Sequence, residues 1–328
     1  MSDKIKIGVV GVGALGRHHA RLYNMNNKVD VVGIYDVNPD VAFAVGAEFN
    51  FKIYQTIQEL ADISEGLSIA VPSHLHHKIS MPLLKAKKHL LIEKPIATTI
   101  QDAQEMVKLA KENNLVLGVG HVERFNPVMV FLEQLAQKAR FLDVQRLAPY
   151  PPQRPDALPR GTEVSVILDL MIHDLELVLH LVDSEVEKID ANGLKAFSDT
   201  EDIVNARIQF KNGCIANVNA SRIAYKPVRR YNIFYTDAYL SLDYAKRTGV
   251  YHTKDEKNLR VVREPIPVND HNALEKELDD FVSCIQEYNK TGIAPLPKVC
   301  GQKAMNALKL ALDIEKTVRE YNQKYSLD

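Results

Sequence analysis

The 328-residue chain contains no tryptophan and only three cysteines, Cys214, Cys284 and Cys300. Three thiols this scattered make neither a disulfide framework nor a cysteine-built zinc site, and they suit a reducing compartment. Neither sign of charge is in excess: 41 basic against 42 acidic residues leave a net charge of −1. Such a balance exerts no general pull toward nucleic acid or an anionic membrane. No apolar run reaches 18 residues without a charge, so no membrane span is expected. The opening MSDKIKIGVV lacks the layout of a secretory signal. What is present, 46% hydrophobic and 25% charged residues, is ordinary globular composition and excludes extensive disorder. These features predict a cytoplasmic protein long enough for two domains.

Up to residue 120 the chain alternates short Val- and Ile-rich runs with helical stretches. The runs at 5–10, 29–35, 66–71, 89–93 and 115–120 read as buried parallel strands. Between them, 14–25, 39–48, 56–62, 75–87 and 99–113 read as helices. Strand–helix alternation implies right-handed crossovers and a parallel sheet covered on both faces. The pattern changes at HVERFNP (121–127). A helix near 127–138 and a strand near 141–148 follow. Next comes APYPPQRPDALPRG (148–161), whose five prolines exclude regular structure, and then an apolar helix over 165–183. From 186 to 265 a series of β-runs, separated by turns such as KNG (211–213), predicts a largely antiparallel sheet. Helices at 272–288 and 299–323 close the chain. The expected class is α/β, with a parallel-sheet domain over 1–122 and an α+β domain over 123–328 carrying a large, open, mostly antiparallel sheet.

GVGALG (11–16) joins the first strand to the first helix. A lone G-x-G-x-x-G says little, but Asp36 closes the second strand 20 residues beyond Gly16, where a ribose-binding acid is required. Gly11 permits the tight turn, Gly13 lets backbone approach a pyrophosphate, and Gly16 lets helix and strand close up. Gly11, Val12, Gly13, Ala14, Leu15 and Gly16 are therefore assigned to a dinucleotide, and the first domain reads as a Rossmann domain. A 2′-phosphate would meet the Asp36 carboxylate, so NAD is the expected cofactor. Arg17, His18 and His19 read as solvated or packing residues.

IEKPIA (92–97) closes the fourth strand at its carboxyl end, where open α/β sheets bind ligands. Pro95 keeps Lys94 extended and aimed from the strand tip, with Glu93 placed to steady its ammonium. VPSHLHHK (71–78) follows the third strand. His74 with His76 invites a metal, but no convergent Asp, Glu or His set appears at the other strand ends. No metal is expected, and Pro72, Ser73 and His76, with Glu93 and Lys94, are assigned to the cofactor.

In VILDLMIHDLELVLHLVD (166–183), Asp169, His173, Glu176 and His180 form one polar stripe along an apolar helix. An Asp169–His173 bond would orient the ring and raise its basicity, which suits a general base. A purely structural pair is the alternative. Asp174, off the stripe, reads as a helix-surface residue. Arg124, Arg146, Arg154 and Arg160 flank or occupy the proline-rich segment. Their planar forks suit a diphosphate, or they pair with carboxylates such as Glu123 and Asp156.

In this order, GVGALG, Asp36, EKP and D-x-x-x-H resemble the Gfo/Idh/MocA oxidoreductase family, and the resemblance spans essentially the whole chain. It implies that Lys94 and His173 are catalytic with Asp169 assisting, and that hydride passes between a sugar carbon and NAD. It also implies a homodimer or homotetramer built on the second sheet. Within the family, HVERFNP, the proline- and arginine-bearing segment and DLMIHD look most like enzymes oxidising UDP-N-acetylglucosamine at C3. On that likeness Arg124, Arg154 and Arg160 join Lys94, Asp169 and His173 as substrate contacts. Inositol or free-sugar dehydrogenases, NAD-dependent glycosidases and non-catalytic NAD/sugar sensors remain alternatives. Val71 departs from the threonine of many members and removes a hydroxyl beside the cofactor.

Overall fold

The computed structural model describes residues 4–135, 137–153, 159, 161–255 and 260–327. The chain divides into two compact units, Met1–Phe125 with Asn272–Asn306, and Asn126–His271 with Ala307–Asp328.

The first unit runs β1 (Ile5–Val10), α1 (Gly16–Met25), β2 (Val29–Tyr35), α2 (Pro39–Phe49), α3 (Ile57–Ile63), β3 (Gly66–Ile69), α4 (His76–Lys85), β4 (His89–Glu93), α5 (Ile100–Glu112) and β5 (Leu117–Gly120). Its five strands are parallel, in the order β2-β1-β3-β4-β5. β3, β4 and β5 are buried at every position, as a sheet covered on both faces demands. Helix starts are written into the sequence. Asn38 accepts from the Asp40 and Val41 N–H groups ahead of Pro39, Thr56 from Glu59, and Thr99 from Asp102. The helix Ala273–Thr291 returns to this unit, where Leu278, Phe281, Val282 and Ile285 join Ile7, Val9 and Tyr23 in one core. A boundary at 122 with everything later in the second domain takes no account of that return. Periodicity shows that a helix has an apolar face, not which sheet the face covers.

The second unit holds α6 (Pro127–Gln134), β6 (Phe141–Leu147), a π-helical turn (Ile167–Met171) leading into α7 (Ile172–Val182), then β7 (Val186–Leu194), β8 (Ile203–Phe210), β9 (Ile215–Ser221), β10 (Val228–Phe234), β11 (Ala238–Asp243), β12 (Thr248–Asp255) and β13 (Arg260–Pro265). The order is β13-β12-β11-β10-β6-β9-β8-β7. Every neighbouring pair is antiparallel except β6 with β9. Burial alternates along β6 and β8, so one face of this sheet carries the core and the other is half-exposed. Two helices close the chain, α8 (Ala273–Thr291) and α9 (Gly301–Tyr325). Among the described residues no helix is long and apolar enough to cross a membrane.

Candidate active site

In the first sheet β1 lies between β2 and β3. The chain therefore leaves β1 to one side and later crosses to the other, which opens a crevice at the carboxyl ends of β1 and β3. The glycine turn lies in that crevice. Gly11 has φ +80°, and a Cβ there would come within 2.7 Å of the Ala70 carbonyl oxygen. A Cβ on Gly16 would collide with the Gly11 carbonyl. Gly13 differs: a Cβ on it would meet nothing within 4 Å, which leaves the approach for a pyrophosphate open. The N-terminus of α1 has no side-chain cap, so its N–H groups suit an anion. Asp36 is seated beside the turn, its Oδ2 accepting from Val12 N–H at 2.8 Å and its Oδ1 from Asn38 N–H at 2.9 Å. These residues fit a dinucleotide with a free ribose hydroxyl. NAD is accordingly expected to give the higher kcat/KM, and Asp36→Ser to narrow its advantage over NADP. Equal efficiency with both cofactors in the unaltered enzyme would contradict the assignment.

Glu93 and Lys94 stand at the tip of β4, and the Lys94–Pro95 peptide is cis. Glu93 is buried, and its Oε2 accepts from the Lys94 N–H at 3.2 Å. Its Oε1 lies 3.0 Å from His19 Nε2, and His19 Nδ1 lies 2.7 Å from Ser68 Oγ. His19 is thus buried between Ser68 and Glu93 in the sheet's polar centre. A signal for this was available, because His19 shares the buried face of α1 with Ala20 and Tyr23. Burial opposes ionisation of Glu93, but the His19 bond and the nearby His19 and Lys94 charges hold its carboxyl below the usual range.

After β3, Pro72 is exposed, and Ser73 opens a short helical turn with His74, which points to solvent. His76 is buried, its ring nitrogens 2.8 Å from the Pro95 carbonyl and 2.9 Å from that of Val71. Burial lowers its pKa, against the two carbonyl contacts, which raise it, and the ring ties the loop after β3 to the loop after β4. His77 turns to α5, 3.0 Å from Glu105. Among the described residues no three His, Cys, Asp or Glu side chains gather to hold a metal.

Two further histidines of this unit are buried. Burial pushes His89 down to about 4, and its Nδ1 accepts the Val116 N–H at 3.0 Å. Burial, then the Lys94 charge, push His121 down to about 3. Unfolded histidines titrate near 6.5, so below that pH the unfolded chain binds more protons. These two rings are expected to lose stability as pH drops below about 6.5, by up to about 1.4 kcal/mol per pH unit each, opposed by Glu277, Asp280 and Glu315, whose carboxyls burial raises. Urea midpoints at about pH 7 and about pH 5, compared between the unaltered protein and His89→Gln, measure the His89 share, and an identical pH dependence in both would refute it.

In the second unit Asp169 sits in the π-turn and His173 in the first turn of α7, both partly exposed. The expected uniform helix over 165–183 is corrected: its first part is widened, as is frequent where helices carry function. Gly161, at φ +85°, packs directly against the Asp169 carboxylate, and a Cβ there would collide with it. Arg222 anchors the stretch before the π-turn. Its guanidinium donates to Asp202 Oδ1 (2.7 Å), to the carbonyls of Gly161 (2.6 Å) and Val164 (2.8 Å), and to the Ser198 (2.8 Å) and Thr200 (2.6 Å) hydroxyls. Burial opposes the Asp202 charge, but the Phe197 N–H, Arg222 and Ser198 outweigh it and hold the carboxyl well below the usual range. Nothing in the linear pattern joins these residues.

Asp174 is not a surface residue. It is 1% exposed and takes a two-pronged bond from Arg146, at 2.7 and 2.8 Å, and a third from Tyr231 Oη at 2.8 Å. Arg146 is thereby engaged inside the unit rather than offered to a diphosphate. Arg124 is buried as well. Arg154 and Arg160, with Asp156, lie outside the described residues.

A parallel sheet with an open glycine turn at its switch point and an acid at the end of β2 defines an NAD-binding oxidoreductase of the Rossmann type. The chain belongs to the Gfo/Idh/MocA family. Residues 5–121 match the family's NAD-binding Rossmann fold, and residues 138–241 match its C-terminal domain. UDP-N-acetylglucosamine 3-dehydrogenase of Acidithiobacillus ferrooxidans is 32% identical over 98% of this chain and 99% of its own length. A solved structure of that enzyme, GnnA, superposes with a TM-score of 0.88 at 31% identity, covering 97% of this chain and 99% of that one. Myo-inositol 2-dehydrogenase of Thermotoga maritima is 24% identical over 96% of this chain and 97% of its own. Levoglucosan dehydrogenase, solved with NADH and levoglucosan, shares the fold at 19% identity, with a TM-score of 0.86 over 97% of this chain and 98% of that one.

Proposed function

We propose that the protein oxidises a hydroxyl of a nucleotide sugar to a ketone, with C3 of UDP-N-acetylglucosamine as the leading candidate. The observation that carries this reading is the full-length likeness to an enzyme named for that reaction, in a chain that has Lys94, Asp169 and His173 at the family's motif positions. NAD, when bound, supplies the hydride acceptor. His173 takes the hydroxyl proton, and Asp169 keeps its ring in the required tautomer. Lys94 orients the hydroxyl and stabilises the charge that grows on its oxygen. Gly11 to Gly16 and Asp36 hold the cofactor, with Pro72 and Ser73 beside it. His76 and Glu93 support the loops from behind. Arg154 and Arg160 receive the substrate diphosphate, and buried Arg124 contributes charge rather than a free fork.

Titration calorimetry with UDP, NAD being present, tests the substrate class, and a panel of nucleotide sugars, inositols and hexoses tests the reaction. Binding of UDP with NADH formed from its sugar conjugate is expected. No UDP binding, together with turnover of an inositol or free hexose, would move the protein to the polyol branch. Hydrolysis without net NADH would mark a glycosidase.

The reading includes a second copy of the chain on the half-exposed face of the eight-stranded sheet. There Phe141, Phe234, Tyr239 and His252 form a ladder with ring centroids 5.7, 4.6 and 4.7 Å apart, an apolar stripe suited to an isologous contact. Sedimentation should show a dimer or tetramer that Phe234→Glu dissociates, and a monomeric unaltered protein would refute it. All three cysteines are free, which fits action in a reducing cytoplasm.

A further inference from the structure

The buried series Ser68–His19–Glu93 takes no part in the reaction proposed above, yet it ends on the strand tip that carries Lys94. His19 belongs to α1, Ser68 to β3 and Glu93 to β4, and they are 1%, 0% and 9% exposed. The ring spans 2.7 Å to the serine on one side and 3.0 Å to the carboxylate on the other. The second carboxylate oxygen accepts the Lys94 N–H at 3.2 Å. A hydrolytic serine–histidine–acid reading has no room for a substrate, because Ser68 is wholly enclosed in the sheet.

We propose that His19 is a positioning residue for Lys94: bonded to Ser68 and in 3.0 Å contact with Glu93, it holds the Glu93 carboxylate against the Lys94 backbone and so fixes the strand tip from which the lysine projects. This inference rests on the reading of Lys94 as a residue of the reaction.

Among the described residues His19 and Tyr23 from α1, Lys94 beside it, His76 from α4, His121 after β5 and Glu277 from α8 act on Glu93 or feel its charge. Glu277 sharpens the argument. It is 2% exposed, and among the described residues neither of its carboxyl oxygens has a hydrogen-bond partner. Burial, then the Glu93 charge, push its carboxyl well above the usual range. Two acids therefore share one buried cluster, and the pKa of the carboxyl beside His19 is lowered while that of Glu277 is raised.

The test uses the NAD-loaded enzyme with UDP-N-acetylglucosamine and the variants His19→Leu, His19→Gln and Ser68→Ala, with Lys94→Ala as the reference. His19→Leu should lower kcat by about tenfold, the scale of a misplaced catalytic group, with NAD affinity unchanged. The acidic limb of its pH profile should move up by roughly one unit or more, because Glu93 then keeps its proton to higher pH. His19→Gln retains an N–H for Glu93 and should restore most of both, while Ser68→Ala should shift the limb less, in the same direction. Infrared titration, with Glu93 assigned by Glu93→Gln, should show its protonated carboxyl at higher pH in His19→Leu. An unmoved acidic limb and an unmoved Glu93 band in folded His19→Leu would overturn the inference. So would equal impairment of His19→Leu and His19→Gln. Near-normal turnover of Lys94→Ala would instead overturn the reading of Lys94, and the Glu93 band would then still report on His19 separately.

Discussion

Replacing Lys94 or His173 with alanine is expected to lower kcat by about 10²–10⁴-fold, the usual contribution of a positioned acid–base or charge-stabilising group. In free energy that is roughly 3–5 kcal/mol of transition-state stabilisation. NAD affinity should change little, because the glycine turn and Asp36 belong to other loops, and Asp36 is held by Val12 and Asn38 N–H groups rather than by Lys94. Neither substitution empties a core position, since both residues are partly exposed. Loss of activity with an unchanged melting temperature is therefore the expected pair of results. Asp169→Asn should be milder and should mainly displace the pH profile, because an amide still bonds a ring but cannot favour its protonated form. Steady-state kinetics for NADH formation, with NAD binding measured in parallel, separates these effects. Near-normal turnover in either alanine variant would reduce the D-x-x-x-H stripe to packing.

Much of the fold was legible in the linear pattern, and the reasons for match and mismatch are physical. β1, β2 and β4 are short apolar runs bounded by turn residues, so the sequence places them at the residues the structure shows, 5–10, 29–35 and 89–93. β10 is different. The apolar run begins at Tyr231, but the strand begins at Val228, because pairing with β6 carries VRR into the sheet despite its charges. The π-turn was hidden for another reason. A polar stripe at intervals of four and three residues suits a regular helix, and one widened turn does not disturb it visibly. Asp174 and Arg146 are separated by 28 residues, as are many pairs that never meet, and only folding brings β6 beneath α7. His19 fell between these cases, since its helix face was readable but its partners, on β3 and β4, were not.

Arg146→Ala is expected to destabilise the protein by about 3–5 kcal/mol, the cost of leaving a buried charge without its partner. Asp174 is 1% exposed and Arg146 4%, so bulk water does not replace the missing guanidinium. Three hydrogen bonds now neutralise the carboxylate, two from Arg146 and one from Tyr231, and truncation leaves it with the tyrosine alone. Surface pairs behave otherwise, with typical values of about 0–1 kcal/mol, so exposed Lys188–Asp190 serves as the control. The double change Arg146→Met with Asp174→Leu removes both charges and keeps apolar volume. It should recover most of the loss, since a buried ion pair seldom outperforms a packed apolar pair. A double-mutant cycle of urea unfolding, with single and paired substitutions, reads the coupling directly. His173 precedes Asp174 on α7, so Arg146→Ala should also reduce kcat at temperatures where the protein remains folded, as the first turn of that helix loses its tether to the sheet. A stability change below about 1 kcal/mol would place the pair with the idle surface bridges and would show that apolar packing alone seats the helix that bears His173.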